Sequence, residues 1–394
     1  MRMAPERISS GSIPSVLRLC SSLGIARHEL VGLLTLDRQS WYTVKSVDKA
    51  DGSERLVHVP HPYVRRAQRR INRRILANSR ILAWPHFLYG SLPNQMVGSV
   101  RVSKDYVACA GVHSGARSIF KMDVKDFFDN VHSEIVLDVF KNVLKYPPAV
   151  SEVMTDICTW QGHLVQGALT SSYLANLCLY DVEGGVVERL RRKGWAYTRL
   201  VDDITVSSSK YEVDFTYADE LLSDMLRSKG LPVNRAKTGA RYLSTEPLIV
   251  HGLRVEYSSP RLLEDEPRRI RAAVKNIESL AREGNYRQSH SYRKDFNKCM
   301  GRVNKLKRVG HKQHGVLMDR LRRVLPLPSG ADVLRARLLI KRLENSFSRD
   351  FKTYGYRKRY YILQERLNVL SRSYRDEAES IRARASAVRP AFSD

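Results

Sequence analysis

Between Tyr197 and Ser208 the chain reads Y-T-R-L-V-D-D-I-T-V-S-S, and no other stretch limits the fold as much. Apolar and β-branched residues flank two adjacent carboxylates, Asp202 and Asp203, which predicts two strands joined by a turn that carries the acidic pair. Neighbouring side chains in a strand or tight turn point in different directions. Two adjacent aspartates repel each other unless a cation joins them. An isolated pair of this kind reads as a solvated acidic turn, so its meaning depends on which other residues the fold brings to it.

The 394 residues are enough for a sizeable core divided into two or three subdomains, and 43% hydrophobic residues is a globular composition. A net charge of +26 calls for a polyanionic partner, and nucleic acid fits better than a membrane surface. No apolar run approaches the roughly 20 residues of a spanning helix, and the N-terminal M-R-M-A-P-E-R has no apolar leader segment. The five cysteines are scattered, with no C-x-x-C pair or zinc spacing, and read as reduced thiols in a cytoplasm.

In chain order, residues 13–36 predict two short scaffolding helices broken at Gly24. Residues 41–60 predict a hairpin with an Asp51-Gly52 turn, carrying Lys45, Lys49 and Arg55. Those cations serve either solubility or the binding of a triphosphate. Residues 62–77 predict a helix with Arg65, Arg66, Arg69, Arg70, Arg73 and Arg74 on one side and Val64, Ala67, Ile71 and Ile75 on the other. So many arginines on one element favour a phosphate-backbone track over a merely solvated face. Residues 119–124 are strand-like, with Asp123 near the end, and Asp126 invites reading as a helix N-cap. Helices are expected over 135–159 with a break at Pro147-Pro148, and Gln166-Gly167 predicts a turn into a helix lined with small residues. That turn suits either close packing or a backbone lying against a nucleotide. A helix over 216–229, a loop with Lys237 and a strand over 248–255 follow. The chain is then helical and basic to its end, with Pro326, Pro328 and Gly330 marking a linker. In the last unit Tyr354, Tyr356, Tyr360 and Tyr361 alternate with cations over 351–361, either to stack on unpaired bases or to form a buried stripe.

Asp123 and the Asp202–Asp203 pair converge if their strands share a sheet. Three carboxylates facing one point suit two Mg²⁺ ions, which prefer oxygen ligands and stabilise the attacking and leaving oxygens of an in-line phosphoryl displacement.

Three segments, D-V-K-D-F-F (123–128), V-Q-G-A-L-T-S-S-Y-L-A-N (165–176) and T-R-L-V-D-D-I-T-V-S (198–207), resemble in order and spacing the palm motifs of reverse transcriptases. Bacterial retron-type and antiphage-defence enzymes are the nearest in pattern, from about Leu17 to about Leu325. The resemblance implies an α+β right-hand polymerase with fingers, a palm with an antiparallel sheet and a helical thumb, plus a C-terminal α-helical extension. The boundaries expected are 1–40 for an N-terminal helical segment, 41–112 fingers, 113–262 palm, 263–326 thumb and 327–394 extension. It implies that Asp123, Asp202, Asp203 and the carbonyl of Val124 ligate two Mg²⁺ ions, with Mn²⁺ as a substitute. It places Lys45, Lys49 and Arg55 on a dNTP triphosphate, Phe128 beneath the sugar as a gate against ribose, and Gln166 and Gly167 against nucleotide or template. Lys237 becomes the proton donor to pyrophosphate.

The function implied is RNA-directed DNA synthesis of cDNA from a dedicated non-coding RNA, in antiphage defence. Arg66, Arg69, Arg70 and Arg73 would hold that RNA, together with Lys305, Lys307 and Arg308 of the thumb and Tyr354, Tyr356, Arg357, Lys358 and Arg359 of the last unit. An effector protein or a second copy of the chain is a further expected partner. The competing functions are untemplated or protein-primed synthesis from a tyrosine hydroxyl, and a non-catalytic RNA-binding scaffold. Four departures mark the chain as divergent. Leu200 stands where the family has Tyr, and Val165, Leu169 and Ser172 stand where it has prolines. The retron N-A-x-x-H signature is Cys109-Ala110-Gly111-Val112-His113, and V-T-G is Val250-His251-Gly252.

Overall fold

Short apolar periodicities give short elements at the start of the chain, with ends set by identifiable residues. In the computed structural model, which describes residues 2–391 apart from 49–51 and 53, strand β1 (Glu6–Arg7) precedes helices α1 (Val16–Leu23) and α2 (Arg27–Leu34). Ser15 caps α1 by accepting from the Arg18 amide, and Gly24 ends it in the left-handed conformation. Strands β2 (Tyr42–Asp48) and β3 (Glu54–Pro60) pair in register from Tyr42–Pro60 to Asp48–Glu54. Of the expected turn, Asp51 lies outside the described residues, as does Lys49. Pro62 opens α3 (Pro62–Ile71) at a position where its missing N–H costs nothing. Val64, Ala67, Gln68 and Ile71 are buried, and the helix widens into a π-turn over Asn72–Leu76.

Strand β4 (Leu82–Ala83) pairs with β1, and β5 (Leu88–Tyr89) and the hairpin of β6 (Gln95–Val97) and β7 (Val100–Val102) follow. Then come α4 (Tyr106–Gly111), β8 (Ser118–Asp123), α5 (Phe127–Asn130), α6 (Ser133–Asp138), α7 (Pro148–Cys158), α8 (Ser171–Leu177) and α9 (Glu183–Arg192). Strands β9 (Ala196–Leu200) and β10 (Asp203–Ser208), helix α10 (Thr216–Arg227) and strand β11 (Gly239–Tyr242) complete the central sheet. Its order is β11-β8-β10-β9-β5, antiparallel throughout except for β5, which runs parallel to β9. Alternation along β8 and β10 puts Phe120, Met122, Ile204 and Val206 on one face, all buried in the main core with Leu174, Val187 and Leu222. The opposite face carries Asp123, Lys121, Asp203 and Thr205.

The stretch 248–255 is not the single strand its composition predicts. It folds back as β12 (Ile249–Val250) and β13 (Leu253–Arg254), because His251 and Gly252 both take positive φ, 49° and 77°. Two successive residues of that kind make a two-residue hairpin turn, here written His-Gly instead of Asn-Gly.

The chain divides into two compact units, Met1–Arg261 and Leu262–Asp394. The second is built mainly of helices, α11 (Asp265–Leu280), α12 (His290–Arg308), α13 (His314–Arg323), α14 (Gly330–Asp350), α15 (Tyr354–Leu370) and α16 (Arg375–Ala387). Ser329 and Asp332 form a capping box that starts α14 just after the Pro326–Pro328 linker. Tyr356 and Tyr360 are core residues of the last three helices, packed with Ala336, Ile340, Leu343, Leu363 and Leu367. Tyr356 is fully buried and donates its hydroxyl to the Val388 carbonyl at 2.7 Å, so its expected role in stacking on bases is corrected. Tyr361 is exposed, and the side chain of Tyr354 lies outside the described residues. Among the described residues, no helix is long and apolar enough to cross a membrane.

Candidate active site

The register of β8 and β10 sets Asp123 directly opposite Asp203. Like charges facing each other across two strands destabilise a sheet unless something neutralises them. Leu200 and Asp203 are the last pair between β9 and β10, which leaves Val201 and Asp202 as a two-residue turn. Val201 has φ of 62°, a conformation that a β-branched residue rarely takes and that costs on the order of 1–3 kcal/mol. The turn rests on Gly90, itself at φ 80°, where a Cβ would sit 3.0 Å from a Val201 methyl. The Asp202 carbonyl accepts from the Val124 amide at 3.2 Å, which ties the turn to the end of β8.

Protein cations answer two of the three carboxylates. Asp203 lies 3.3 Å from His251 Nδ1 and 3.7 Å from Lys121 Nζ. Asp123 accepts from Asn234 Nδ2 at 3.0 Å and lies 3.4 Å from Lys237 Nζ. Burial pushes the Asp203 carboxyl up, but the hydrogen bond from His251 and the charge of Lys121 outweigh it and hold the group below the usual carboxylate range. Asp202 shows the opposite balance. Burial, then the charges of Asp123 and Asp203, raise it, and its own backbone amide and Lys237 do not offset them.

Behind His251 runs a buried polar chain. Its Nε2 lies 3.3 Å from Cys109 Sγ, which in turn lies 3.2 Å from Thr198 Oγ1. Thr198 Oγ1 is 2.7 Å from His113 Nε2, and His113 Nδ1 is 2.7 Å from Ser207 Oγ. Burial first, and then His251, pushes His113 down to about 3, so this imidazole is neutral. Cys109 is pushed up to about 12, chiefly by burial, so it is a thiol.

Asp123, Asp202 and Asp203 thus gather at one end of the sheet. They are not closed into a cage: among the described residues, no group of three or more His, Cys, Asp or Glu side chains is placed to hold a metal ion. Asp203 turns to His251 and Lys121, while Asp123 turns to Lys237 and Asn234. Asp126 stands at the N-cap position of α5, in a left-handed conformation, but its side chain caps nothing. Phe128 is half-buried beside the buried Phe127, with ring centroids 6.0 Å apart. Gly167 has a packing reason of its own: at φ 112° a Cβ there would meet the His58 carbonyl of β3 at 2.2 Å, and the His58 amide donates to the Gln166 carbonyl at 2.9 Å.

Lys45 is exposed on β2, opposite Val57, while the side chain of Arg55 lies outside the described residues. Along α3 Arg66 pairs with Glu29 at 2.5 Å, and Arg69, Arg70 and, in the π-turn that follows, Arg73 each have partners. In the second unit Lys305, Lys307 and Arg308 are exposed on α12, Lys305 pairing with Glu266 at 2.6 Å. On α15 Lys358 is exposed, and Arg357 and Arg359 are half-buried.

Three residues that touch the carboxylates escaped the sequence reading: His251, Lys121 and Asn234. Lys121 had a signal, since it lies two residues before Asp123 and so shares its face. His251 had a subtler one. Cys109 and His251 are two of the departures noted above, and they meet in space.

Residues 47–280 match the family described as Reverse transcriptase (RNA-dependent DNA polymerase). The chain is 42% identical to the retron Ec48 reverse transcriptase of Escherichia coli, over 99% of this chain and 96% of that one. It is 28% identical to the retron Se72 reverse transcriptase of Salmonella heidelberg, over 98% of this chain and 100% of that one. Among solved structures it is similar to telomerase from Candida tropicalis in complex with a TWJ fragment of telomeric RNA. The TM-score there is 0.42 and the identity 11%, over 86% of this chain and 64% of that one. Reverse transcriptases generally use divalent metal ions. The side chains here fit such an ion by type, since three carboxylates offer hard oxygen donors and Asp202 carries a charge its surroundings leave under-compensated.

Proposed function

We infer, from the premise that the chain belongs to the reverse transcriptase family, that this right-hand polymerase synthesises cDNA from a dedicated non-coding RNA in antiphage defence. The observation that carries the reading of the site is the register that faces Asp123 with Asp203 and leaves Asp202 on the turn beside them. In this reading Asp123, Asp202, Asp203 and the Val124 carbonyl hold two Mg²⁺ ions, for which Mn²⁺ can substitute. Such ions lower the pKa of an attacking 3′-hydroxyl and neutralise the charge that develops on phosphate.

The remaining work falls to the chain's own residues. His251 and Lys121 fix the direction of the Asp203 carboxylate, and Asn234 fixes Asp123. Lys237 donates a proton to departing pyrophosphate, a role supported by its distance of 3.4 Å from Asp123. Lys45, Lys49 and Arg55 of residues 41–112, the proposed fingers, meet the triphosphate of a dNTP. Phe128 selects against a ribose 2′-hydroxyl, and Gln166 and Gly167 border the nucleotide. The RNA follows Arg66, Arg69, Arg70 and Arg73. It also follows Lys305, Lys307 and Arg308 of the proposed thumb (263–326), and Arg357, Lys358 and Arg359 beyond it, with exposed Tyr361 as a stacking surface. Protein priming from Tyr356 is disfavoured, because its hydroxyl is buried against the Val388 carbonyl.

Incorporation of radiolabelled dNTPs on the copurifying RNA, wild type against Asp203→Ala, tests the mechanism. Incorporation is expected only with the wild type, and equal incorporation by both sinks the proposal. Sequencing the copurifying nucleic acid tests the template: one enriched non-coding RNA is expected, and a random pool counts against it.

A further inference from the structure

Directly behind the acidic turn lies an arginine that the reaction does not otherwise use. Arg199 of β9 is completely buried, and its carboxylate partner, Glu183 at the start of α9, is 3% exposed. Nε and Nη2 donate to the two Glu183 oxygens at 2.6 and 2.7 Å. Nη2 also reaches the Asn176 carbonyl at 3.0 Å, and Nη1 the Ala175 carbonyl at 3.4 Å, both near the C-terminal end of α8. The last donor of Nη1 goes to the Val201 carbonyl at 3.0 Å. All five N–H groups of the guanidinium are therefore used. Tyr197 also donates to Glu183 Oε1, at 2.7 Å.

Burying such a pair brings little net stability, because desolvation of both ions offsets their attraction. The bond to Val201 points to another use. Val201 holds the strained positive φ of the turn, and its carbonyl is the peptide oxygen immediately before Asp202. A turn whose β-branched residue disfavours its own conformation needs something outside it to hold it there.

We propose that Arg199, fixed by Glu183, is a positioning residue that clamps the Val201 peptide and so sets the place of the Asp202 carboxylate. The clamp also joins the turn to the end of α8, the helix entered from Gln166-Gly167, so the acidic turn and that helix move as one body. The inference rests on Asp202 and Asp203 being the catalytic carboxylates.

Because the polymerase reaction is dominated by positioning, an Asp202 displaced by about 1 Å is expected to cost on the order of 10²-fold in turnover. Arg199→Lys keeps the charge and loses the fork. Arg199→Met with Glu183→Gln removes both charges, and the new amide oxygen can still accept from the Tyr197 hydroxyl. Both variants are expected to lower kcat at least about tenfold while KM for dNTP stays within about threefold. Adding Val201→Gly, which accepts positive φ without strain, is expected to restore a large part of the lost kcat in either background. Melting temperature is followed throughout. A kcat within about twofold of wild type in a folded clamp variant overturns the proposal, and so does a loss that Val201→Gly leaves untouched. A kcat loss that merely follows the fall in melting temperature overturns it too, and assigns Arg199 to the core alone. Asp202→Asn distinguishes the two levels: if it keeps activity, the site reading fails as well, and if it is inactive while the clamp variants are active, only this inference fails.

Discussion

Two arginine–glutamate forks of nearly the same geometry sit in the two units of the chain. In the first, Arg199 grips Glu183 through bonds of 2.6 and 2.7 Å with both side chains buried. In the second, Arg384 grips Glu344 through bonds of 2.9 and 2.7 Å with the side chains 44% and 32% exposed. Geometry alone would rank them as equals. Burial separates them, since water screens the second and competes for its partners, while the first has no solvent to fall back on. The same contrast recurs along the chain: much of its basic character lies on the surface, while Arg199 is wholly withdrawn from solvent.

Removing one partner from each fork is the strongest way to break this comparison. Glu183→Ala leaves Arg199 buried and uncompensated and is expected to cost about 3–5 kcal/mol of stability. Glu344→Ala is expected to change stability by no more than about 0.5 kcal/mol. Urea unfolding of the two variants side by side measures the gap, and equal losses would remove the distinction that burial is argued to make.

The tyrosines of α15 sharpen the same contrast with a somewhat smaller effect. Tyr356→Ala empties a fully buried ring position and strands the Val388 carbonyl, for an expected loss of about 3 kcal/mol. Tyr361→Ala, 47% exposed, is expected to leave stability within about 0.5 kcal/mol and to weaken RNA binding by about 1–3 kcal/mol. Thermal unfolding and filter-binding titrations at one fixed salt concentration separate the two outcomes. RNA affinity unchanged in Tyr361→Ala would remove the Tyr361 ring from the proposed RNA path.

These contrasts show why some of the molecule was legible in its sequence and some was not. Asp123, Asp202 and Asp203 announce themselves because each interrupts an apolar, strand-forming run, and the proposed phosphoryl transfer calls for carboxylates. The sheet followed from the same alternation, and the paired helices of 13–36 from their apolar periodicity and the break at Gly24. Tyr356 and Tyr361 share one Lys- and Arg-rich texture, and only packing against Ile340 and Leu363 decides which ring is core. His251 was hidden for another reason. Its contact with Asp203 depends on a turn of two positive-φ residues that brings a point 48 positions downstream of Asp203 back against it, and a His-Gly turn carries a weaker signature than Asn-Gly. The glycine at 167 could be read as significant, but the carbonyl of His58 that demands it comes from a strand more than a hundred residues earlier.

The smallest expected effect concerns the carboxylates themselves, and its sign differs between neighbours. Asp203 titrates below the ordinary carboxylate value of about 3.9, so its contribution to stability is full above that value and is lost as pH falls through the lower, folded one. Asp202 titrates above it, so its charge opposes folding at neutral pH and the penalty is relieved as pH falls through its raised value. In protein freed of divalent ions by chelation, Asp202→Asn is therefore expected to raise the melting temperature at pH 7 by roughly 1–3 °C, the scale of relieving one partly buried carboxylate beside like charges. Asp203→Asn, which discards the partner of His251 and Lys121, is expected to lower it. Both differences should shrink toward zero as the pH is brought down into the carboxylate range. Titrating Mg²⁺ back should stabilise the wild type and leave Asp202→Asn largely unmoved, because an ion that binds only the folded state stabilises it by mass action. A lower melting temperature for Asp202→Asn at pH 7 would mean that the acidic turn is neutralised from within the fold, leaving no uncompensated charge there for a metal to answer.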